Sequence, residues 1–349
     1  MKDFLINPLR GKGLGDDQEL PQSDVAGVAA LLAKCPAHSP TPLLNMTALA
    51  AEVGVARLHV KDESTRMGLG SFKALGAAYA IACDAAEQVQ DERWHEALTG
   101  RVYIAASAGN HGLSVAAGAR LFGARAVIYL AQTVPMAFAE RLRGIGAQVV
   151  RAGATYEESL VAAQEAAEAG QGTLLSDGSW PGYTRLPSRV MEGYLQLAAE
   201  AADQIDEPPT HILLQAGVGG LAAAVAAYAR VVWGDTPTII VVEPDAAPAL
   251  IESIRAKKVV TTAGPVSDMG RLDCKTPSMV ALAGLAREAD VFVTITEAEA
   301  AQGVARMAEH GLVTTTSGGA GLAALLAGLP DVGPEARVLA ILSEGAEDA

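Results

Sequence analysis

Short runs of apolar, β-branched residues alternate along this chain with longer, alanine-rich runs. The strand-like runs are Leu58–Val60, Val102–Ala105, Ala126–Leu130, Gln148–Val150, Ile212–Leu214, Thr238–Val242, Val291–Ile295 and Val338–Leu342. The helix-like runs are Phe72–Ala86, Gly112–Leu121, Met136–Ile145, Tyr156–Ala169, Pro187–Ala202, Leu221–Val232, Pro277–Arg287 and Glu297–Glu309. Two of these begin with capping-box pairs, Thr155 with Glu158 and Thr296 with Glu299. A hydroxyl three residues before a carboxylate satisfies N–H groups that a helix start leaves unpaired. Strand–helix alternation of this length predicts an α/β fold with a mostly parallel sheet covered by helices. Two segments break the rhythm. Gly11–Asp24 is polar and expected as a surface arm, and Trp180–Leu186 is aromatic and Gly/Pro-rich, expected as a loop near a site.

Composition narrows the class. A chain of 349 residues that is 50% apolar is no disordered segment and can bury one large core or two modest ones. Aromatics make up only 4% while there are 36 glycines, which suits helices packed closely on a parallel sheet. The net charge of -14 speaks against a nucleic-acid or anionic-membrane partner, since phosphate binding needs clustered cations. Cys35, Cys83 and Cys274 are odd in number and far apart, so no disulfide framework is expected and a cytoplasmic setting fits. The six histidines lack metal-ligand spacing, so no metal site is expected. Met1–Leu9 lacks the apolar core of a signal peptide. Ile212–Ala229 runs 18 residues without a charge, but Gly217, Gly219 and Gly220 interrupt it. A buried strand, a glycine turn and a buried helix are expected there, not a membrane span.

Four constellations carry candidate chemistry. Lys73 lies in Gly68-Leu-Gly-Ser-Phe-Lys73-Ala-Leu-Gly76, with no other charge from Met67 to Cys83. Desolvation there is expected to lower the amine's pKa and suit it to Schiff-base chemistry; the alternative is a lysine reaching along a helix start to solvent. Gln215-Ala-Gly217-Val218-Gly219-Gly220-Leu221 follows a strand and opens a helix, forming a cup of N–H groups for a phosphate, or else a tight packing turn. Ser107-Ala108-Gly109-Asn110-His111-Gly112 occupies a second such junction, suited to a carboxylate or to plain helix capping. Thr314-Thr-Thr-Ser317-Gly-Gly offers hydroxyls for a flat ring, or an N-cap. Such junctions are where α/β sheets bind ligands. A reactive lysine, a phosphate cup, an amide and a hydroxyl are together the parts that hold pyridoxal 5′-phosphate (PLP).

The chain resembles the fold-type II PLP-dependent enzymes of the serine/threonine dehydratase superfamily, and most nearly the diaminopropionate ammonia-lyases. The resemblance rests on Thr41-Pro-Leu43, the run from Lys61 to Gly76, Gly109-Asn-His-Gly112, Gln215-Ala-Gly-Val-Gly219, Val242-Glu-Pro244, Leu272-Asp-Cys-Lys-Thr-Pro277 and Ser343-Glu-Gly345, and spans the chain from near Phe4. It implies a tryptophan synthase β-like fold: two open, twisted, mostly parallel sheets flanked by helices, with PLP between two domains. Residues 1–85 and 190–349 would form the large domain and 86–189 a smaller, mobile one that takes the substrate carboxylate. Lys73 matches the Schiff-base lysine and Asn110 the contact to the cofactor's phenolic oxygen. Gly217, Val218, Gly219, Gly220 and Leu221 match the phosphate loop, and Ser317 the partner of the pyridine nitrogen. Ser107, Ala108, Gly109, Asn110 and His111 match the loop gripping the substrate carboxylate. Asp177 resembles the ammonia-lyases' acid–base aspartate, or else is a turn aspartate.

Two departures make the chain a mosaic. Ala108 stands where diaminopropionate ammonia-lyases carry an aspartate associated with the D-substrate, and Leu75 where threonine dehydratases carry arginine. The resemblance implies α,β-elimination on a small β-substituted amino acid, with an L-preference, giving a 2-oxo acid and ammonia. The β-substituent is an amine, as in 2,3-diaminopropionate, or a hydroxyl, as in serine, threonine or 3-hydroxyaspartate. A β-replacement synthase and a non-catalytic PLP-binding protein are the remaining alternatives. Trp180, Tyr183 and Arg271 are candidates for reading the substrate's side chain. The family's usual assembly implies a homodimer. The end of the chain soon after Gly345 leaves no expected room for a threonine dehydratase regulatory domain.

Overall fold

The structure is a computed structural model describing residues 3–15 and 18–346; Asp16 and Asp17, inside the expected arm, lie outside the described residues. Eleven strands are described: β1 Asp3–Ile6, β2 Leu43–Asn45, β3 Arg57–Asp62, β4 Val102–Ala106, β5 Arg125–Leu130, β6 Gln148–Arg151, β7 Thr173–Leu174, β8 His211–Gln215, β9 Thr238–Pro244, β10 Val291–Ile295 and β11 Arg337–Leu342. The helices are α1 Ala26–Leu32, α2 Thr47–Val53, α3 Lys73–Gln88, α4 Asn110–Leu121, α5 Met136–Ile145, α6 Tyr156–Glu168, α7 Arg185–Gln204, α8 Gly220–Trp233, α9 Ala249–Ala256, α10 Met279–Glu288, α11 Glu297–Glu309 and α12 Ala320–Leu326.

Two sheets result. The larger runs β1-β10-β9-β8-β11-β3-β2, and the smaller β6-β5-β4-β7. The small sheet is parallel throughout. In the large sheet only the edge strands β1 and β2 pair antiparallel. Side chains alternate sides along each strand. Ile212 and Leu214 of β8, with Ile239 and Val241 of β9, therefore enter the core that also takes in α3, α4, α7, α8, α10 and the small sheet. Leu213, Ile240 and Val242 enter a second core beneath α2, α11 and α12. A third core packs α6 on the outer face of the small sheet through Ile104, Tyr129, Ala163 and Ala166.

Small residues let the central helices meet. A Cβ on Gly193 of α7 would lie 2.5 Å from the Leu75 carbonyl oxygen of α3, so the two backbones touch there. The expected arm is anchored at its far end: Pro21 lies against Gly284 of α10, and Glu19 accepts from the Ser188 hydroxyl at 2.7 Å. Of the two capping boxes, the one at Thr296 closes fully. At Thr155 the hydroxyl takes the Glu158 N–H, but the Glu158 carboxylate reaches past the cap to the Ala154 N–H. Among the described residues no helix is long and apolar enough to cross a membrane.

The loops after β3, β4, β7, β8 and β11 leave the carboxyl ends of their strands, where parallel α/β sheets place their sites. Those ends converge between the two sheets.

Candidate active site

The loop after β3 delivers Lys73 to the first turn of α3. It is held from below by a buried charge cluster. Arg66 donates to Glu63 at 2.7 and 2.8 Å and to Glu200 of α7 at 2.9 and 2.6 Å, while Lys61 donates to Glu200 at 2.8 Å. Thr41 joins through its hydroxyl, 2.6 Å from Glu63, and its carbonyl, 2.7 Å from Lys61. From above, the loop is stitched to the residues after β11: the Phe72 N–H donates to Ser343 O at 3.1 Å and the Gly345 N–H to Gly70 O at 3.0 Å.

Lys73 emerges with its side chain one-fifth exposed and its Nζ paired with Asp177 Oδ2. The Phe72 and Tyr194 rings lie 5.3 and 5.8 Å from that nitrogen. The charge state corrects the expectation from sequence. Burial pulls the Lys73 ammonium down, but the Asp177 carboxylate outweighs it, and the net direction is up. Burial likewise pushes the Asp177 carboxyl up and Lys73 outweighs it, holding it below the usual carboxylate range. The two are therefore an ion pair, not a neutral amine beside a neutral acid.

Asp177 follows β7 in a turn shaped by Ser176, whose hydroxyl accepts the Gly178 N–H at 3.2 Å. Tyr183 braces the turn. Its hydroxyl donates to Leu174 O at 2.8 Å and accepts the Ser176 N–H at 3.1 Å, and its ring stacks on Trp180 at 4.5 Å. The aromatic loop is thus a scaffold for Asp177, and the Tyr183 hydroxyl is engaged with backbone.

The glycine turn joins β8 to α8. Gly219 has φ +98°, a left-handed conformation that favours glycine. A Cβ on Gly217 would meet Cys274 Sγ at 2.9 Å and Arg271 O at 3.1 Å, so only a bare Cα fits. The first N–H groups of a helix have no intrahelical acceptor, and α8 turns its own towards this cup.

The second junction joins β4 to α4. The Ser107 hydroxyl accepts the Gly109 N–H at 3.2 Å, shaping the turn that also holds Ala108 and Asn110. His111 is buried with Nε2 2.8 Å from Leu175 O, and burial holds its imidazole below the usual range. That contact is made by N–H donation from a neutral ring, so His111 supports the small sheet while its backbone stays in the loop. Ser317 accepts the Arg271 N–H at 3.1 Å, leaving its own O–H to donate elsewhere. Ser343 donates its N–H to Gly318 O, placing a second serine at the same turn.

Four further residues belong to this region without having been assigned to it from sequence. Glu344 bonds Asn110 Nδ2 and Thr315 Oγ1, and its Oε2 lies 2.9 Å from Arg271 Nε. Burial and the nearby Asp177 charge push the Cys274 thiol up to about 12, and burial raises Tyr194 to about 12. Tyr156, 46% exposed overall, brings its hydroxyl near Asp177, and burial of that end with the Asp177 charge raises its pKa. Glu344 and Cys274 sit in motifs that the resemblance rests on, which was the available signal. Tyr156 and Tyr194 carried none beyond helical periodicity. Among the described residues no group of three or more His, Cys, Asp or Glu is arranged to hold a metal ion.

A lysine, a cup of N–H donors, an amide and a hydroxyl whose O–H is free to donate are held within one interlinked set of contacts. They fit PLP: the cup that a Cβ would fill suits an anion, the Lys73 amine suits an aldehyde, and the amide and hydroxyl would serve a phenolic oxygen and a ring nitrogen. The fold and the site define a PLP-dependent lyase. Residues 35–344 match the family described as "Pyridoxal-phosphate dependent enzyme", and the chain belongs to it. It is 32% identical over 297 residues to the diaminopropionate ammonia-lyase of Salmonella typhimurium, covering 79% of this chain and 74% of that one. Solved structures of Escherichia coli diaminopropionate ammonia lyase, one with an aminoacrylate-PLP azomethine intermediate and one with D-serine, superpose with TM-scores of 0.87 and 0.89. Each is 29% identical and covers 99% of this chain and 94% of its own. A serine dehydratase-like protein of Mus musculus is 29% identical over 297 residues, 84% of each chain. The protein carries out PLP-dependent elimination.

Proposed function

We propose that the protein removes the β-amine of 2,3-diaminopropionate, with a preference for the L-isomer. The Cα–H and Cβ–N bonds break, water enters, and pyruvate leaves with two molecules of ammonia. The observation that carries this reading is the pairing of Lys73 Nζ with Asp177 Oδ2, which puts two proton carriers at one point of the site. When bound, PLP supplies an aldehyde that takes an amine and a ring that spreads the negative charge left at Cα.

The chain's residues do the rest. The N–H groups of Gly217–Leu221 hold the phosphate at the positive end of α8. Asn110 donates to the phenolic oxygen. Ser317, whose hydroxyl accepts the Arg271 N–H, keeps its O–H free to donate to the pyridine nitrogen, and a neutral hydroxyl there would favour the unprotonated ring nitrogen. The loop from Ser107 to His111 takes the substrate carboxylate on N–H groups at the start of α4. The Lys73–Asp177 pair holds one exchangeable proton between its two members: the member without it takes the Cα proton, and the member that holds it delivers it to the departing amine. Ala108 stands where diaminopropionate ammonia-lyases carry an aspartate associated with the D-substrate, and the loss of that carboxylate is the basis of the L-preference. Residues 86–189 form the smaller domain that closes on the substrate, and the protein works as a cytoplasmic homodimer. The cysteines, free in this structure, suit that compartment.

A dehydratase acting on serine, threonine or 3-hydroxyaspartate is the second reading, favoured by Ala108 and the serine dehydratase-like relative. The test is a panel of L- and D-diaminopropionate, L-serine, L-threonine and 3-hydroxyaspartate on PLP-loaded protein. Pyruvate with ammonia in a one-to-two ratio from L-diaminopropionate, faster than any other turnover, is expected. Faster release of a 2-oxo acid from a hydroxy amino acid would replace the proposal with the second reading.

A further inference from the structure

Glu344 is a side chain that the mechanism above does not use. It stands just beyond β11, its carboxylate only 6% exposed, where the two sheets meet. Its carboxylate joins three segments distant in sequence: Asn110 at the head of α4, Thr315 before α12, and Arg271 in the connection between α9 and α10. The Thr314 hydroxyl also donates to the Glu344 carbonyl at 2.6 Å, and residue 344 bridges to Ser71 beside Lys73. With Lys73–Asp177, the Asn110–Glu344 bond ties the large sheet to the small one.

The chemistry of that bond is directional. An ionised carboxylate accepts and never donates, so an amide bonded to it must present Nδ2 and not Oδ1. Nδ2 carries a second N–H. Once Glu344 has fixed which end of the amide is the donor, that second N–H is what Asn110 offers to the cofactor. A neutral partner such as glutamine would accept either orientation. The carboxylate brings a negative charge close to an oxygen that is itself anionic in the bound cofactor, and the guanidinium 2.9 Å away offsets it.

We propose that Glu344 is the positioning residue that sets the Asn110 amide to donate to the cofactor's phenolic oxygen, with Arg271 balancing its charge. This rests on the PLP reading of the site. The other ionisable groups acting on Lys73 and Asp177 are His111, Tyr156, Tyr183, Tyr194 and Cys274. They are the same in every variant below.

The test compares Glu344→Gln, Arg271→Gln and the double variant with the parent, each loaded with PLP. It follows the visible absorption band against pH, and PLP affinity by equilibrium dialysis. Removing a negative charge makes the protonated nitrogen joining Lys73 to the cofactor easier to deprotonate; removing a positive charge makes it harder. The E344Q midpoint is expected to fall and the R271Q midpoint to rise, each by about half a pH unit or more, with the double variant near the parent. E344Q should also bind PLP several-fold more weakly, because its amide no longer dictates the orientation of Asn110. Shifts in the same direction, or no shift with unchanged affinity, overturn the proposal: a purely structural tie would loosen the site alike in both variants. A parent protein that binds no PLP fails the underlying reading instead.

Discussion

Replacing Arg66 by methionine removes one of the two cations from the buried cluster beneath the loop that carries Lys73. Glu63, Arg66 and Lys61 have no exposed side-chain surface, and Glu200 has 5%. Two carboxylates would then face a single ammonium, and the Arg66 bonds to Ser39 O, Thr41 Oγ1, Glu63 and Glu200 would be gone. Breaking a buried pair by removing one partner costs about 3–5 kcal/mol. Glu200 gives an independent scale. Burial pushes it up, but Arg66 first and Lys61 second bring it from 4.5 down to about 2, a shift worth about 3 kcal/mol. At about 2.1 cal/mol/K of unfolding entropy per residue, such a loss lowers the melting temperature of a 349-residue chain by about 5 °C. The sign with pH is fixed. A depressed carboxylate contributes stability above its unfolded value and loses it as pH falls through the folded one. The deficit of R66M is therefore full above pH 4.5 and fades as pH falls towards 2. Urea and thermal unfolding at pH 7 and pH 3, with R66M/E200Q as a charge-restored control, measure it. A deficit below about 1 kcal/mol, an equal deficit at both pH values, or a double variant no more stable than R66M would refute the reasoning.

Other outcomes follow from the site. Gly217→Ala puts a methyl 2.9 Å from Cys274 Sγ and should weaken PLP binding at least about tenfold while the fold persists; unchanged affinity in dialysis would remove this turn from the phosphate site. Ser317→Ala should lower kcat at least about tenfold with little change in stability, and Ser343→Ala should not; the reverse pattern would transfer the pyridine contact to Ser343. Asp177→Asn should lower kcat about 100-fold or more with PLP still bound. In the ligand-free protein its stability deficit should be present above pH 3.8 and shrink as pH falls through the depressed Asp177 value, and a deficit that grows in acid would contradict the ion pair.

The alternation of apolar and alanine-rich runs located eight of the eleven described strands and eight of the twelve described α-helices, with Val291–Ile295, Met136–Ile145 and Glu297–Glu309 correct to the residue. What it missed is short or held by distant partners. β1, β2 and β7 are four, three and two residues long, and α1, α2 and α12 seven each. The eight-residue α9 takes its start from Glu243, whose carboxylate accepts the Leu250 and Ile251 N–H groups at 2.7 and 2.8 Å across the loop after β9. No local pattern announces that cap. The same limit shaped the site. The charge-free surroundings of Lys73 were visible, and with them the desolvation that lowers an amine's pKa. The carboxylate that reverses the shift lies 104 residues away, so its partnership was invisible until the sheets met. Glu344 and Asn110, 234 residues apart, were each in a noticed motif, but only the fold joins them.

Chemical trapping tests most directly whether this chain works through PLP held on Lys73. The chain has eight lysines, of which Lys61 is buried and Lys73 one-fifth exposed, so chemical trapping discriminates among them. PLP-loaded protein is reduced with borohydride, digested, and its peptides mapped by mass spectrometry. A pyridoxyl group on the peptide bearing Lys73, lost in Lys73→Ala together with pyruvate release from L-diaminopropionate, is the predicted result. A label on another lysine, or undiminished turnover in Lys73→Ala, would contradict the account.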